Sequence, residues 1–140
     1  MEKKLLLSVK KLSISFNSNN VLSKAVNSIS FDVYENEIVG VIGESGSGKS
    51  VTALSLMRLI PFSEKTKFSG TVTYKGMDIK ELSEKEIQSV RGREIAMVFQ
   101  EPMSALNPSM TCGSQVREIL LHHDVVNKKD LNDEVLRLFN

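Results

Sequence analysis

Residues 43–50 read Gly43-Glu44-Ser45-Gly46-Ser47-Gly48-Lys49-Ser50, the phosphate-binding pattern G-x-x-x-x-G-K-S, and no other stretch restricts the fold of this chain as tightly. Before it runs Glu37-Ile38-Val39-Gly40-Val41-Ile42, a short apolar run suited to a buried strand. After it, residues 51–60 hold neither Gly nor Pro and predict a helix. Strand, glycine loop and helix N-terminus therefore come in the order a phosphate cradle needs. The glycines open backbone angles closed to side chains, so that successive N–H groups turn inward as an anion nest. Phosphate then meets the unpaired donors and the positive dipole end of the helix. Lys49 is expected to reach the β- and γ-phosphates, and the Ser50 hydroxyl to ligate Mg²⁺.

Two strands are expected ahead of this loop. Leu12, Ile14 and Phe16 alternate with Ser13 and Ser15, and Ile29, Phe31 and Val33 alternate with Ser30, Asp32 and Tyr34, both at the period of a half-buried strand. Asn17-Ser18-Asn19-Asn20 reads as the polar turn between them, and Glu35-Asn36 as a turn into the loop strand. Pro61 stops the helical run, and residues 62–68 read as a charged loop. Thr71-Val72-Thr73-Tyr74 is β-prone, with Gly70 and Gly76 marking turns on either side. Ser83-Glu84-Lys85-Glu86 matches a capping box, opening a short helix to about Val90 that Gly92 closes. Residues 94–99 form a second apolar run fit for a core strand, ending at Gln100. Pro102 and Pro108 bracket a loop without periodicity, after which residues 114–122 and 130–139 predict helices; Leu131, Val135 and Leu138 give the last one an apolar face that must pack.

A chain of 140 residues, 41% apolar and 25% charged, suits a single ordinary globular domain. The net charge of +1 supplies no basic field, so nucleic acid is not an expected partner. The single Cys112 excludes an internal disulfide and a cysteine-based metal site, in keeping with a reducing compartment. The N-terminal sequence Met1-Glu2-Lys3-Lys4-Leu5-Leu6-Leu7 starts like a signal peptide, but its apolar run is too short for one. No window approaches the roughly 18 apolar residues of a membrane-spanning helix. His122 and His123 would point about 100° apart on a helix, which does not suit a shared metal, and Cys112 has no fixed base in view.

Together these residues resemble a family. The glycine loop, a strand ending in Gln100 about fifty residues later, and Met97-Val98-Phe99-Gln100-Glu101-Pro102-Met103-Ser104-Ala105-Leu106-Asn107-Pro108 resemble the ATP-binding subunit of ATP-binding cassette (ABC) importers, within the dipeptide, oligopeptide and nickel uptake branch. The form Gly-Glu-Ser-Gly-Ser-Gly-Lys-Ser followed by Val51 is typical of that branch, and the resemblance runs from about Leu5 to Leu120. It implies an α/β fold: a P-loop NTPase core with an antiparallel β-subdomain, truncated at the start of the helical subdomain. Residues 1–99 would hold the β-subdomain and P-loop core, and residues 100–140 the Q-loop and the start of the helical subdomain. It further implies ATP and Mg²⁺ as ligands, held by Phe16 stacking on adenine, by Gly43, Glu44, Ser45, Gly46, Ser47, Gly48, Lys49, Ser50 and Val51 around the phosphates, and by Gln100, which would contact the metal and the attacking water. Core burial is the competing reading of Phe16. The implied partners are transmembrane permease subunits facing the region after Gln100, a second ATP-binding subunit and, indirectly, an extracellular substrate-binding protein, with the chain peripheral on the cytoplasmic face of the membrane.

The departures from the family pattern bear on catalysis. The signature Leu-Ser-Gly-Gly-Gln, the Walker B aspartate with its adjacent glutamate, and the switch histidine do not occur in this sequence; Asp124 follows His122-His123 rather than an apolar strand, and Leu82-Ser83-Glu84-Lys85 lacks the glycines of a signature. Weak or no ATP turnover is therefore expected of these residues alone, since phosphoryl transfer depends on groups placed around water and metal. Two other classes stay open on the sequence: a soluble P-loop ATPase or kinase unconnected with transport, and a non-catalytic remnant that binds nucleotide weakly or not at all.

Overall fold

Two long strands, β1 (Leu5–Ser18) and β2 (Val21–Tyr34), pair antiparallel and form the spine of the N-terminal part of the chain. They belong to a computed structural model that describes residues 3–18, 21–61, 63, 65–101, 106–123 and 125–140. Met1, Glu2, the Asn19-Asn20 half of the expected turn, Phe62 and Glu64 of the expected charged loop, Pro102, Met103, Ser104, Ala105 and Asp124 lie outside the described residues. The described residues form two compact units, Met1–Gln88 and Ser89–Asn140.

In the first unit, β3 (Thr66–Tyr74) adds to the free side of β1 and β4 (Met77–Asp78) to β3, giving the order β2-β1-β3-β4, antiparallel throughout. The alternation of small polar and large apolar residues explains the register: Ile14 stands opposite Val26, and Val9 opposite both Phe31 and Val72. Val9, Leu12, Ile14, Val72, Tyr74, Ile79 and Ile87 are buried as the core. β3 begins earlier than expected, and Gly70 lies within it rather than at a turn. At Gly70 the ladder between β1 and β3 shifts register, and its φ of 86° lets the backbone lie against the carbonyls of Lys10 and Lys11. A side chain cannot be accommodated there, which is why glycine reads ambiguously as turn or bulge in the sequence.

Helix α1 (Lys49–Leu56) follows the glycine loop, and Leu59 and Arg58 close its end by donating to the carbonyls of Leu54 and Ser55. Helix α2 (Glu84–Val90) opens on the expected capping box: Ser83 donates its backbone N–H and its hydroxyl to the Glu86 carboxylate, at 2.7 and 2.6 Å, while Ser83 Oγ accepts from the Glu86 N–H at 3.3 Å.

The second unit holds α3 (Cys112–His122) and α4 (Leu131–Phe139). Thr111 caps α3 by accepting from the Ser114 N–H. Leu120, Leu131 and Val135 form a small core, with Val116 and Val126 against it. Leu138, expected on the same buried face, is 52% exposed. The register explains this: Val135 already meets the N-terminal Gly113 of α3, so the last turn of α4 runs past the end of its neighbour. No helix among the described residues is long and apolar enough to cross a membrane.

The two apolar runs expected as core strands are not strands. Residues 37–44 are irregular, with Ile38 and Ile42 almost wholly exposed, and residues 94–99 contribute only an isolated bridge between Arg91 and Ile95, with Val98 89% exposed. Such runs suit parallel strands, which need neighbours at both edges and cover on both faces. Among the described residues no strand pairs with either run, and every strand of the sheet is antiparallel.

Candidate functional site

The glycine loop is held between β2 and α1. Gly48, the N-cap residue of α1, has φ 91° and ψ 7°, a left-handed conformation that glycine takes without steric cost. A Cβ on it would overlap the carbonyl oxygen of Ala25 and stand 3.3 Å from a Val26 methyl. The loop therefore rests directly on the β2 backbone. Gly46 is also left-handed, at φ 78°, but faces open space. Gly43 closes the other end, where an added Cβ would lie 2.6 Å from Ser47 Oγ.

Two side chains hold the loop's shape. Lys49 folds back over it, Nζ donating to the carbonyls of Gly43 and Glu44, each at 2.6 Å, and to Ser47 Oγ at 3.3 Å. Thr52 ties down the helix entry, its N–H and hydroxyl both donating to the Gly48 carbonyl at 2.8 and 2.9 Å. At the start of α1 the N–H groups of Lys49, Ser50 and Val51 precede the first intrahelical bond and so face outward as donors. Ser45, Gly46, Ser47 and Ser50 are exposed; Gly48, Lys49 and Val51 are half-buried.

A cavity of about 410 Å³ lies between this loop and β2, walled by Val26, Ile29 and Phe31 on one side and by Val39, Val41 and Ile42 on the other. Lys49 and Gly43 reach it as well. A phosphate group fits the loop chemically, for it offers fixed donors, a helix N-terminus and one ammonium. For a divalent cation the fit is partial. Ser50 offers one hydroxyl oxygen, and no group of three or more His, Cys, Asp or Glu side chains among the described residues could hold a metal. Magnesium at such a place is held through phosphate oxygens and water, with few protein ligands.

Phe16 is half-buried on β1, between Ser23 of β2 and Thr66 of β3. It stands two residues along β1 from Ile14, whose partner is Val26, the residue whose methyl a side chain at Gly48 would meet. Gln100 is exposed and belongs to the second unit, whereas the loop and Phe16 belong to the first. Beyond it, Gln115 organises the backbone of the following loop, accepting from the Asn107 N–H at 2.9 Å and donating to the Asn107 carbonyl at 3.1 Å. His122 and His123 meet edge to face with ring centres 5.0 Å apart, and the His123 ring lies against Gly92.

Sequence reasoning missed Ala25 and Thr52. Ala25 acts through its backbone carbonyl, which leaves no trace in residue type. Thr52 has a local signal, since a Thr four residues after a carbonyl can bond back to it.

The ABC transporter family profile matches residues 26–139. The dipeptide transport ATP-binding protein DppD of Bacillus subtilis (strain 168) is 43% identical over 140 residues, 100% of this chain and 41% of that protein. The oligopeptide transport ATP-binding protein OppD of the same organism is 41% identical over 133 residues, 95% of this chain and 37% of that protein. The chain thus spans about two fifths of the length of these curated relatives. Among solved structures, the dimeric bacterial ABC transporter cassette MJ0796 superposes with a TM-score of 0.78 at 21% identity, covering 94% of this chain and 55% of that one; its ADP- and Pi-bound, post-hydrolysis dimer gives 0.75. At that identity the likeness speaks for the fold, and it agrees with the α/β cassette expected from the motifs. By the family match over most of its length, the chain belongs to the ABC transporter family.

Proposed function

We propose that this chain forms the phosphate-binding part of an ATP site in the energy-coupling subunit of a membrane importer for peptides. The observation that carries the reading is the loop itself: Gly48 seated on the Ala25 carbonyl, Lys49 folded over residues 43–47, and the first N–H groups of α1 turned outward at the same place. The names of its relatives, dipeptide and oligopeptide transport ATP-binding proteins, support peptides over nickel as the cargo of the assembly.

In this reading Lys49 exchanges its carbonyl partners for phosphate oxygens, and the backbone donors of Gly46, Gly48, Lys49, Ser50 and Val51 surround the same charge. Gly43, Glu44, Ser45 and Ser47 complete the loop. Phe16 presents its ring to adenine, a contact that stacking stabilises by about 1–3 kcal/mol in comparable sites. Ser50 and Gln100 face the Mg²⁺ ion that accompanies ATP and neutralises phosphate charge. The region after Gln100 meets permease subunits, a second ATP-binding subunit completes the site, an extracellular binding protein delivers the cargo, and the chain works at the cytoplasmic face of the membrane.

The test is titration calorimetry of the folded chain with ATP and Mg²⁺. Saturable binding is expected, weakened at least about tenfold by Lys49→Ala. No heat at about 1 mM ATP from a chain with an intact circular dichroism spectrum would reject the proposal.

A further inference from the structure

The Gly48 carbonyl at the head of α1 is held twice by one residue. Thr52 donates its backbone N–H to that oxygen at 2.8 Å and its hydroxyl at 2.9 Å, so both lone pairs are engaged. The first is the ordinary opening bond of a helix, whereas the second is supplied by the side chain alone. Thr52 is only 7% exposed, which keeps water from competing for the hydroxyl.

The doubly held oxygen stands at a pivot of the chain. Gly48 is left-handed, at φ 91° and ψ 7°, and glycine opposes rotation about its backbone bonds less than any other residue. The peptide joining Gly48 to Lys49 is planar and trans, so its C=O and N–H point in opposite directions and fixing one fixes the other. With the carbonyl drawn along α1, the Lys49 N–H is turned into the hollow of the loop as one of the free donors of the first turn. Turned over, the same peptide would place a carbonyl oxygen there, and an acceptor repels phosphate.

We infer that the Thr52 hydroxyl is a positioning group for phosphate: by restraining the Gly48–Lys49 peptide it keeps the Lys49 N–H aimed at the anion. This rests on the loop being the ATP site proposed above. Thr52 acts through the peptide and not by contact, and its role is separable from stability. Without the hydroxyl, the Gly48 carbonyl still accepts from the Thr52 N–H, so no acceptor is left without a donor. Ser55 supplies a control, because its buried hydroxyl donates to the Thr52 carbonyl at 2.6 Å, the same chemistry one turn further from the loop.

Titration calorimetry of the full chain with ATP and Mg²⁺, paired with urea unfolding, tests this. Thr52→Val is expected to weaken ATP binding about three- to tenfold, the worth of one ordinary hydrogen bond, with its unfolding midpoint unchanged. Thr52→Ser keeps the hydroxyl and should bind within about twofold of the wild type. Thr52→Ala, corrected for its folded fraction, should match Thr52→Val, and Ser55→Ala should bind ATP as the wild type does. By heteronuclear NMR the Lys49 amide should move on addition of ATP in the wild type and in Thr52→Ser, and move less in Thr52→Val. Equal affinity in the wild type and Thr52→Val, a loss that Thr52→Ser does not restore, an equal loss in Ser55→Ala, or a loss that follows the unfolded fraction in both the Val and Ala variants would each overturn the inference. Absence of binding by the wild type at about 1 mM ATP would reject the proposed function and this inference with it, a result distinct from equal binding.

Discussion

Gly48 and Ala25 are locked together: the glycine at the head of α1 lies so close to the Ala25 carbonyl of β2 that a Cβ would overlap the oxygen. The phosphate loop therefore depends on the antiparallel sheet for its position as well as on its own glycines. Gly48→Ala is expected to displace the loop, abolish ATP binding in calorimetry and lower the melting temperature. Gly46→Ala meets open space and bears only the left-handed strain at φ 78°, about 1–2 kcal/mol. Its melting temperature should fall less, and measurable ATP binding should remain.

Arg58 joins the end of α1 to the start of α2. Its guanidinium, with the side chain 15% exposed, donates to the Leu82 carbonyl and to the Glu84 carboxylate at 2.7 Å. Glu84 is 61% exposed, so the ion pair is well screened and contributes little. The bond to the Leu82 carbonyl is the larger effect, because without it a part-buried acceptor loses its donor. Arg58→Ala should cost about 1–3 kcal/mol in urea unfolding. Glu84→Gln should cost less than about 0.5 kcal/mol. Equal costs would show that the ion pair, rather than the carbonyl bond, holds the two helices.

What could be read from the sequence was local. The loop 43–50, the alternation in β1 and β2, the capping box at Ser83 and the helical stretches all encode their structure within a few residues, and each appears, although α1 ends at Leu56 rather than running to residue 60. Residues 38–42 and 94–99 were misread for the opposite reason. An apolar run becomes a core strand only when other strands pair with it, and that condition lies outside the run. Gly70 shows a third case, in which one residue type serves turn and bulge alike and the neighbouring strand decides. The wall of the site was half legible: Ile29 and Phe31 appear in the alternation, while the Ala25 carbonyl has no sequence signature at all.

Acid should loosen both units through single carboxylates. The Ser83 hydroxyl, and then its backbone N–H, hold the Glu86 carboxyl below the ordinary glutamate value; hydrogen bonds from Arg137 do the same for Glu134, and the pairing raises the Arg137 guanidinium in turn. A carboxylate whose folded pKa is depressed contributes stability above its unfolded pKa and loses it as pH falls through the folded value. Melting temperature should therefore be flat above the ordinary glutamate pKa of about 4.3 and decline below it. Ser83→Ala should reduce the Glu86 share of that decline, leaving the part due to the backbone N–H, and Arg137→Ala should remove the Glu134 share. A decline of unchanged steepness in both variants would assign the acid sensitivity to other carboxylates.

Gly70 is the position where the sheet is least tolerant. Its backbone, at φ 86°, lies against the carbonyls of Lys10 and Lys11, and a Cβ would stand 2.5 Å from the Lys10 oxygen and closer still to that of Lys11. Both obstacles are backbone atoms of β1, so no rotamer change can relieve them. The Lys80 ammonium also donates to the Gly70 carbonyl, tying the segment after β4 to the same bulge. Gly70→Ala combines left-handed strain with a forced shift of the β1–β3 ladder, and a loss of about 2–4 kcal/mol is expected in urea unfolding. Gly76→Ala provides the control, being left-handed at φ 82° with nothing within 4 Å. It should cost only the strain, about 1–2 kcal/mol. Because Ile14 and Phe16 lie beyond the bulge on the same strand, the shift at Gly70 should also move Phe16 relative to Gly48. Weaker ATP binding in Gly70→Ala, beyond what its unfolded fraction explains, would show that the bulge sets the spacing between the proposed adenine platform and the phosphate loop.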